Sequence, residues 1–334
     1  MVATSTTENW DALWTLTARA KRKRLTDNIS DAYPTIDAFR KNNMLETEPG
    51  GKQIQEDLMY ALQDPQWFDS YDVLQTSRLD GITAAFYDWA YLASNISIAM
   101  TEEKENRASD KAIKLLEAKT RQAMQGALDG ANAALHASAS DLSKAPIGLQ
   151  DICPNSGAVD TGVLGGVDRG TNTWWRNAQV DGNVGSRNNV LTTQTNTNIF
   201  NYALFLSELY VLVAEGNDTP DLIITSQANL ADWETIFEST GYLRTTTNGK
   251  QGIDGRNATY KGIPFIGDAD CTADVTYMLN SKYLKFKIQQ GMNFSKTPFQ
   301  AGQNQLAKSA FIVLGCQLTT NHLARQGLIH DTAN

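Results

Sequence analysis

The sequence predicts an α+β protein in which a mixed α/β unit interrupts a domain built from one long helix and a sheet. Three observations carry this. Residues 101–137 hold a single helical periodicity, with Ala108, Ala112, Leu115, Leu116, Ala123, Met124, Ala127, Leu128, Ala131 and Leu135 on one stripe. Helix and strand patterns alternate from about residue 145 to 290, which is the signature of a mixed unit. Ala310–Leu314 is an unbroken apolar run, fit for a central strand, and its nearest unpaired partner is the extended stretch Ile82–Met100, far back in the chain.

The long helix is anchored at its start by Thr101 as a cap, with Glu102 and Glu103 in the first turn, where negative charge meets the positive end of the helix dipole. At about 1.5 Å per residue it is on the order of 50 Å long. Its narrow, alanine-rich stripe suits a helix lying along a flat sheet. Gly126 and Gly130 each cost about 1 kcal/mol relative to alanine, so a close backbone approach or a bend is expected there.

In chain order, residues 1 to about 50 read as an arm. Ser5 and Glu8 have capping-box spacing, and Trp10, Leu13, Trp14 and Thr17 share a face. A basic run follows, Arg19, Lys21, Arg22, Lys23 and Arg24, which is either a solvated face or a contact with an acidic surface or nucleic acid. Asp31-Ala32-Tyr33-Pro34 is expected to break the helix. After Gly50-Gly51, Ile54, Leu58 and Tyr60 alternate with polar residues, and Trp67–Gln75 reads as the second strand of a hairpin. A two-stranded hairpin is marginal alone in water, so a neighbouring copy is a natural surface for it. In Ile82–Met100 the apolar parity changes, which predicts a bulge or a break near Ser94-Asn95.

From Ser138 to Asn196 the chain is rich in Gly, Asn, Thr and Asp. The run Gly162–Gly170 has no Gly-Lys-Ser/Thr ending and no clear preceding strand, so a long ordered loop is expected rather than a phosphate loop. Its Trp174 and Trp175 are expected to plug neighbouring surfaces, and Asp168-Arg169 to form a local pair. Thr197–Gly216 is a helix, apolar nearly all round toward its end and therefore expected to be buried. Leu222–Thr225 is a buried strand, Ser226 caps a helix with Leu230, Trp233 and Phe237 inward, residues 244–258 form a long polar loop, and strands follow at Tyr260–Ile266, Val275–Leu279 and Lys282–Ile288. A last strand ends at Leu328-Ile329.

The chain has 334 residues and a formal net charge of -8, which argues against a general nucleic-acid binder. Cys153, Cys271 and Cys316 are odd in number and in no ligand spacing, which fits reduced, buried thiols. No apolar run reaches membrane-span length and no signal peptide pattern is present, so a soluble protein made in a cytosol is expected. His136, His322 and His330 lack metal-ligand spacing, no Gly-x-Ser-x-Gly elbow occurs, and no carboxylate pair stands out. No catalytic, cofactor-binding or metal site is therefore assigned, and no cofactor is expected. So much surface in search of a partner points to assembly.

The order of these parts resembles the tailed-bacteriophage major capsid proteins of the Hong Kong 97-type fold. The likeness rests on Gly50-Gly51-Lys52-Gln53-Ile54 with Leu58-Met59-Tyr60, Tyr71-Asp72-Val73-Leu74, Thr83–Trp89, Ile96–Asn106, Gly165–Arg169 with Trp174-Trp175-Arg176, Pro220–Ser226, Lys261–Phe265 and Leu279–Leu284. It implies an N-terminal arm (1–50), an extended β-hairpin loop over the next subunit (51–80), a peripheral domain with the spine helix (81–144 and 291–334) and an α/β axial domain (145–290). The function implied is a structural, non-enzymatic subunit that assembles into pentamers and hexamers of an icosahedral shell around double-stranded DNA, built in the host cytoplasm and resident in the virion. The implied partners are copies of itself and a portal protein. The short arm adds a separate scaffold protein or a removed precursor segment, and a decoration protein is compatible with the fold. Candidates for contact between subunits are Trp10, Trp14, Arg22, Arg24, Ile54, Leu58, Trp67, Phe68, Trp174 and Trp175. The alternatives are a cellular compartment shell of the same fold around cargo enzymes and, from another class, a soluble hydrolase.

Overall fold

The computed structural model describes residues 33–74, 80–105, 109–139, 141–142, 144–154, 162–181, 196–240, 259–301 and 306–330. Two six-stranded sheets organise it. In the first, the long strand β15 (Ala307–Thr320) is central. It pairs with β4 (Ala90–Ala99), β12 (Leu284–Gln289), β13 (Ser295–Lys296) and β14 (Gln300–Ala301), and β1 (Leu45–Glu48) adds to β12 in parallel. The second runs β7 (Ala178–Asp181), β16 (Gly327–His330), β11 (Val275–Leu279), β8 (Leu222–Ser226), β10 (Ile263–Asp268) and β9 (Thr259–Tyr260).

The expected pairing of residues 82–100 with the C-terminal region is present. β4 and β15 run antiparallel from Ala90↔Cys316 to Ala99↔Ala307. The spine follows directly as α2 (Met100–Glu105) and α3 (Ser109–His136). Leu116, Ala123, Ala127, Ala131 and Leu135 form its buried stripe, and Ala123 packs with Ile96 and Ile312 on one face of the first sheet. Lys119 ties the start of the spine down through Glu102 (2.7 Å) and the Ser97 carbonyl (3.0 Å). The glycines do not mark a close approach. Nothing lies within 4 Å of a side chain built at Gly126, and Gly130 meets only Leu92, at 3.7 Å.

Several expectations are corrected. Pro34 opens a helix absent from the expected elements, α1 (Pro34–Lys41), because the first helical residue needs no N–H; the helix expected to break before it lies outside the described residues. The partner of β2 (Gln53–Met59) is β3 (Ile82–Asp88), not Trp67–Gln75. Residues 69–72 are a turn, with the Asp72 N–H donating to the Asp69 carbonyl, and this interrupts any second strand there. The break in 82–100 falls at Trp89, between β3 and β4, while 94–95 stay in register. Tyr87 therefore faces inward in the ribbon and Tyr91 outward in the sheet. β16 lies beside β11 and β7 in the second sheet rather than beside 82–100, and β12 lies in the first sheet.

α5 (Asn196–Val213) covers the second sheet with Tyr202, Phe205, Leu206, Leu209 and Val213, yet Leu204, Val211 and Leu212 stay exposed, against the expectation of full burial. β8 is buried along its whole length, and the Ser226 hydroxyl accepts from the Asn229 N–H at the start of α6 (Gln227–Thr240). The side chain of Phe237 and the loop 244–258 lie outside the described residues. Cys153, Cys271 and Cys316 are free and buried, and burial pushes each thiol up to about 12.

A buried polar junction joins α1, α3 and β10. The Thr35 hydroxyl donates to Asp268 Oδ2 at 2.6 Å and meets His136 Nε2 at 3.0 Å. Asn132 Nδ2 reaches Asp268 at 3.2 Å and Asp270 at 2.7 Å. Thr35, Asn132, His136 and Asp268 itself are almost wholly buried.

Candidate assembly surface

The β2–β3 ribbon is an extended arm with a fixed root and an unsupported tip. At the root, Ile54, Leu58, Ala85 and Tyr87 are buried in the chain's own core. The Tyr87 hydroxyl donates to the Thr320 carbonyl at 2.8 Å, and burial raises its pKa above the usual phenol range. Thr319 Oγ1 donates to Glu56 at 2.9 Å, and Gln317 Nε2 to the Asp88 carbonyl at 2.5 Å. Lys287, itself buried, bridges Glu48 at 2.7 Å and Glu56 at 2.8 Å. Burial opposes its charge, but the two carboxylates outweigh that and raise its pKa.

Gln317 pairs with Lys287 and shares its face of the first sheet with Gly315, Val313 and Phe311. The ribbon root covers one end of this face, opposite α3. The other end is open and presents Tyr91 and Phe311.

The tip is the reverse of the root. Trp67 and Tyr71 are fully exposed, Val73 is 95% exposed, and Met59, Leu62 and Phe68 are each about 70% exposed. Residues 59–74 include Asp64, Asp69 and Asp72 but no lysine or arginine. Burying a large apolar side chain is worth about 1.5–3 kcal/mol, so a chain holding this many in water on a fixed arm has a strong drive to cover them.

The glycine-rich stretch supports the ribbon from the side. β5 (Val163–Leu164) and β6 (Val167–Asp168) form a hairpin whose two turn residues, Gly165 and Gly166, are both at positive φ. Asp168 and Arg169 do not pair with each other. The Asp168 carboxylate accepts from the Thr171 hydroxyl and from the Gly170 N–H, which holds it below the usual carboxylate range, and buried Arg169 donates to the Asp151 and Ile152 carbonyls of α4 (Leu149–Ile152).

The ten sequence candidates are thus split. Trp67 and Phe68 stand free at the tip. Ile54, Leu58 and Trp175 are corrected, because each is sealed inside its own chain and has no surface left for a neighbour. Trp174 is half-buried and stacks on Tyr60, with ring centroids 5.1 Å apart. Trp10, Trp14, Arg22 and Arg24 lie outside the described residues. Met59, Tyr71 and Val73 entered the sequence reading only as motifs of the extended loop and not as contact candidates, and Leu62 was missed, its only signal being apolar character without a packing partner. Among the described residues no group of three His, Cys, Asp or Glu side chains is placed to hold a metal, and no helix is long and apolar enough to cross a membrane.

No protein-family model and no curated protein matches the sequence. Solved structures do match the fold. The capsid asymmetric unit of cyanophage A-1(L) is similar with a TM-score of 0.63 at 18% identity, over 86% of this chain and 90% of that one. The capsid of a native GTA particle gives 0.55 at 12% identity, over 88% and 90%. The holo-SrpI encapsulin complex of Synechococcus elongatus gives 0.52 at 11% identity, over 87% and 86%. The chain has a Hong Kong 97-type capsid fold.

Proposed function

We propose that this chain is the major structural subunit of an icosahedral virus capsid, a non-enzymatic protein that assembles into pentamers and hexamers around double-stranded DNA. The observation that carries the reading is the ribbon: a root locked by buried hydrogen bonds and ions, and a tip that leaves Trp67, Phe68, Tyr71 and Val73 in water. In this reading the tip lies on the next copy, and the open end of the first sheet, with Tyr91 and Phe311, is an apolar surface able to receive it. A head-to-tail contact of this kind closes into rings when the rotation between copies allows. The first sheet and spine then form the peripheral domain, the second sheet the axial domain, and residues before about 50 the arm, whose last strand, β1, adds to the edge of the first sheet. Its partners in this reading are a portal, a separate scaffold protein or a removed precursor segment in its place, and the packaged DNA, with room for a decoration protein, and the virion is its location.

The likeness to an encapsulin supports a second reading, a compartment shell around protein cargo. Replacing residues 62–74 with a short Gly-Ser link tests the shared premise. The expected product is a folded chain that forms no closed particles by electron microscopy. Normal particles from this variant would overturn the role of the tip. Nuclease-protected DNA inside wild-type particles favours the capsid, and protein cargo favours the compartment.

A further inference from the structure

The glycine-rich hairpin β5–β6 flanks the ribbon at β3. We propose that β5–β6, with Trp174 and Trp175 behind it, is a bracket that sets the angle at which the ribbon leaves the body and thereby the curvature of the shell. The second half of this inference rests on the proposed function, and the first half does not.

The bracket is rigidly mounted. Arg169 Nη2 donates to the Asp151 carbonyl at 2.6 Å and the Ile152 carbonyl at 3.0 Å, which clamps the hairpin to α4. Arg176 Nε closes the loop behind it by donating to the Arg169 carbonyl at 2.9 Å. Buried Trp175 donates through Nε1 to the Leu164 carbonyl at 3.1 Å, pinning β5 from below.

The bracket then meets the ribbon at two separate heights. Low down, the Phe86 N–H on the free edge of β3 donates to the Gly165 carbonyl at 2.9 Å. The fit is tight: a Cβ at Gly165 would sit 2.8 Å from Ala85 Cβ and 3.2 Å from the Tyr87 ring, and its φ of +61° already disfavours any side chain. Higher up, Trp174 stacks on Tyr60 with an interplanar angle of 15°. Tyr60 lies across from Gly81, to whose carbonyl its N–H donates. From residue 81 to residue 86 is about 17 Å of strand. Two supports that far apart fix a direction. A shift of roughly 1 Å at one of them turns the ribbon by about 3°, and moves a tip about 25 Å further out by about 2 Å. A displacement of that size is enough to unseat aromatic side chains from a packed surface.

The test uses the full chain with Ser70→Cys on the tip and Gln122→Cys on the outer face of α3, spin-labelled and measured unassembled by pulsed electron paramagnetic resonance. The three native thiols are buried and stay unlabelled. Gly165→Ala crowds the lower support and Trp174→Ala removes the upper one, while Val163→Ser, on the exposed side of β5, is the control. The expected result is a shift in mean distance of about 2 Å or more, or a clearly broadened distribution, for both bracket variants, with the control unchanged. In parallel, unlabelled bracket variants should give particles of altered or mixed diameter in electron micrographs. Should Gly165→Ala not fold, Trp174→Ala alone decides. Unchanged distances would overturn the bracket. Shifted distances with wild-type particle diameters would overturn its role in curvature. Shifted distances together with no particles from the wild type would uphold the bracket and overturn the shell reading.

Discussion

Lys287→Met is the most informative single change at the ribbon root. The wild-type ammonium is buried and makes two ion pairs, to Glu48 at 2.7 Å and Glu56 at 2.8 Å. Each charge-assisted bond is worth about 1.5–3 kcal/mol. Removing the lysine also leaves two carboxylates facing one another. Their side chains are 31% and 16% exposed, so water recovers part of the loss, and a net cost of about 3 kcal/mol is expected. The cost should be local, because Glu56 belongs to β2 and the other two residues to the first sheet. Native-state hydrogen exchange by mass spectrometry reads it directly: amides of 53–59 and 82–88 should exchange about a hundredfold faster, while those of 222–226 and 275–279 should not change. Adding Glu48→Gln and Glu56→Gln should recover most of the protection, since a neutral cluster has no stranded charge. The pH dependence has a definite sign. The raised lysine pKa means the stabilisation is present through neutral pH and is lost as pH climbs through that raised value. Unchanged exchange in the ribbon, or equal loosening of both sheets, would refute the claim that this cluster holds the ribbon to the body.

Two further outcomes follow from the buried groups. Asp268→Asn should cost about 3 kcal/mol and release α1 first, read as faster exchange in 34–41, because one amide oxygen cannot replace a carboxylate that accepts from Thr35, Asn132 and the Asp270 N–H. Burial alone would raise the Asp268 pKa, but the bonds from His136 and Thr35 outweigh it and hold it well below the usual carboxylate range. The junction is therefore at full strength above about pH 4 and weakens as pH falls below that, which acid titration of the same amides would show. Cys153, Cys271 and Cys316, with thiols pushed up to about 12, should resist a thiol reagent at pH 8 in the native chain and all react after denaturation; rapid native labelling of any one would contradict its burial.

What the sequence makes legible is what one element can specify by itself. The spine shows as a repeat of three and four, and Ala310–Leu314 shows as a run apolar on both faces, so α3 and the core of β15 could be placed and even paired with β4. Choices among partners are less legible. β2 could have met any extended segment downstream, and what selects β3 is that Ala85 and Tyr87 fall on the same inward side as Ile54 and Leu58, which depends on Tyr87 reaching Thr320 on a strand 233 positions away. β16 has the same apolar pattern whichever sheet it joins. The Thr35–His136–Asp268 junction has no sequence signal, because its members stand 101 and 233 positions from Thr35 and each is an ordinary polar residue until the fold buries it. The tip shows a third kind of limit. Trp67, Phe68 and Tyr71 read as apolar residues in want of a surface, and Val211 and Leu212 of α5 read as buried, yet all five are exposed in the single chain. Hydrophobic pattern encodes that a side chain seeks cover and is silent on which molecule supplies it. For an assembling chain these residues are where a core-like sequence and an exposed surface disagree, so the disagreement itself locates the surfaces that copies must share.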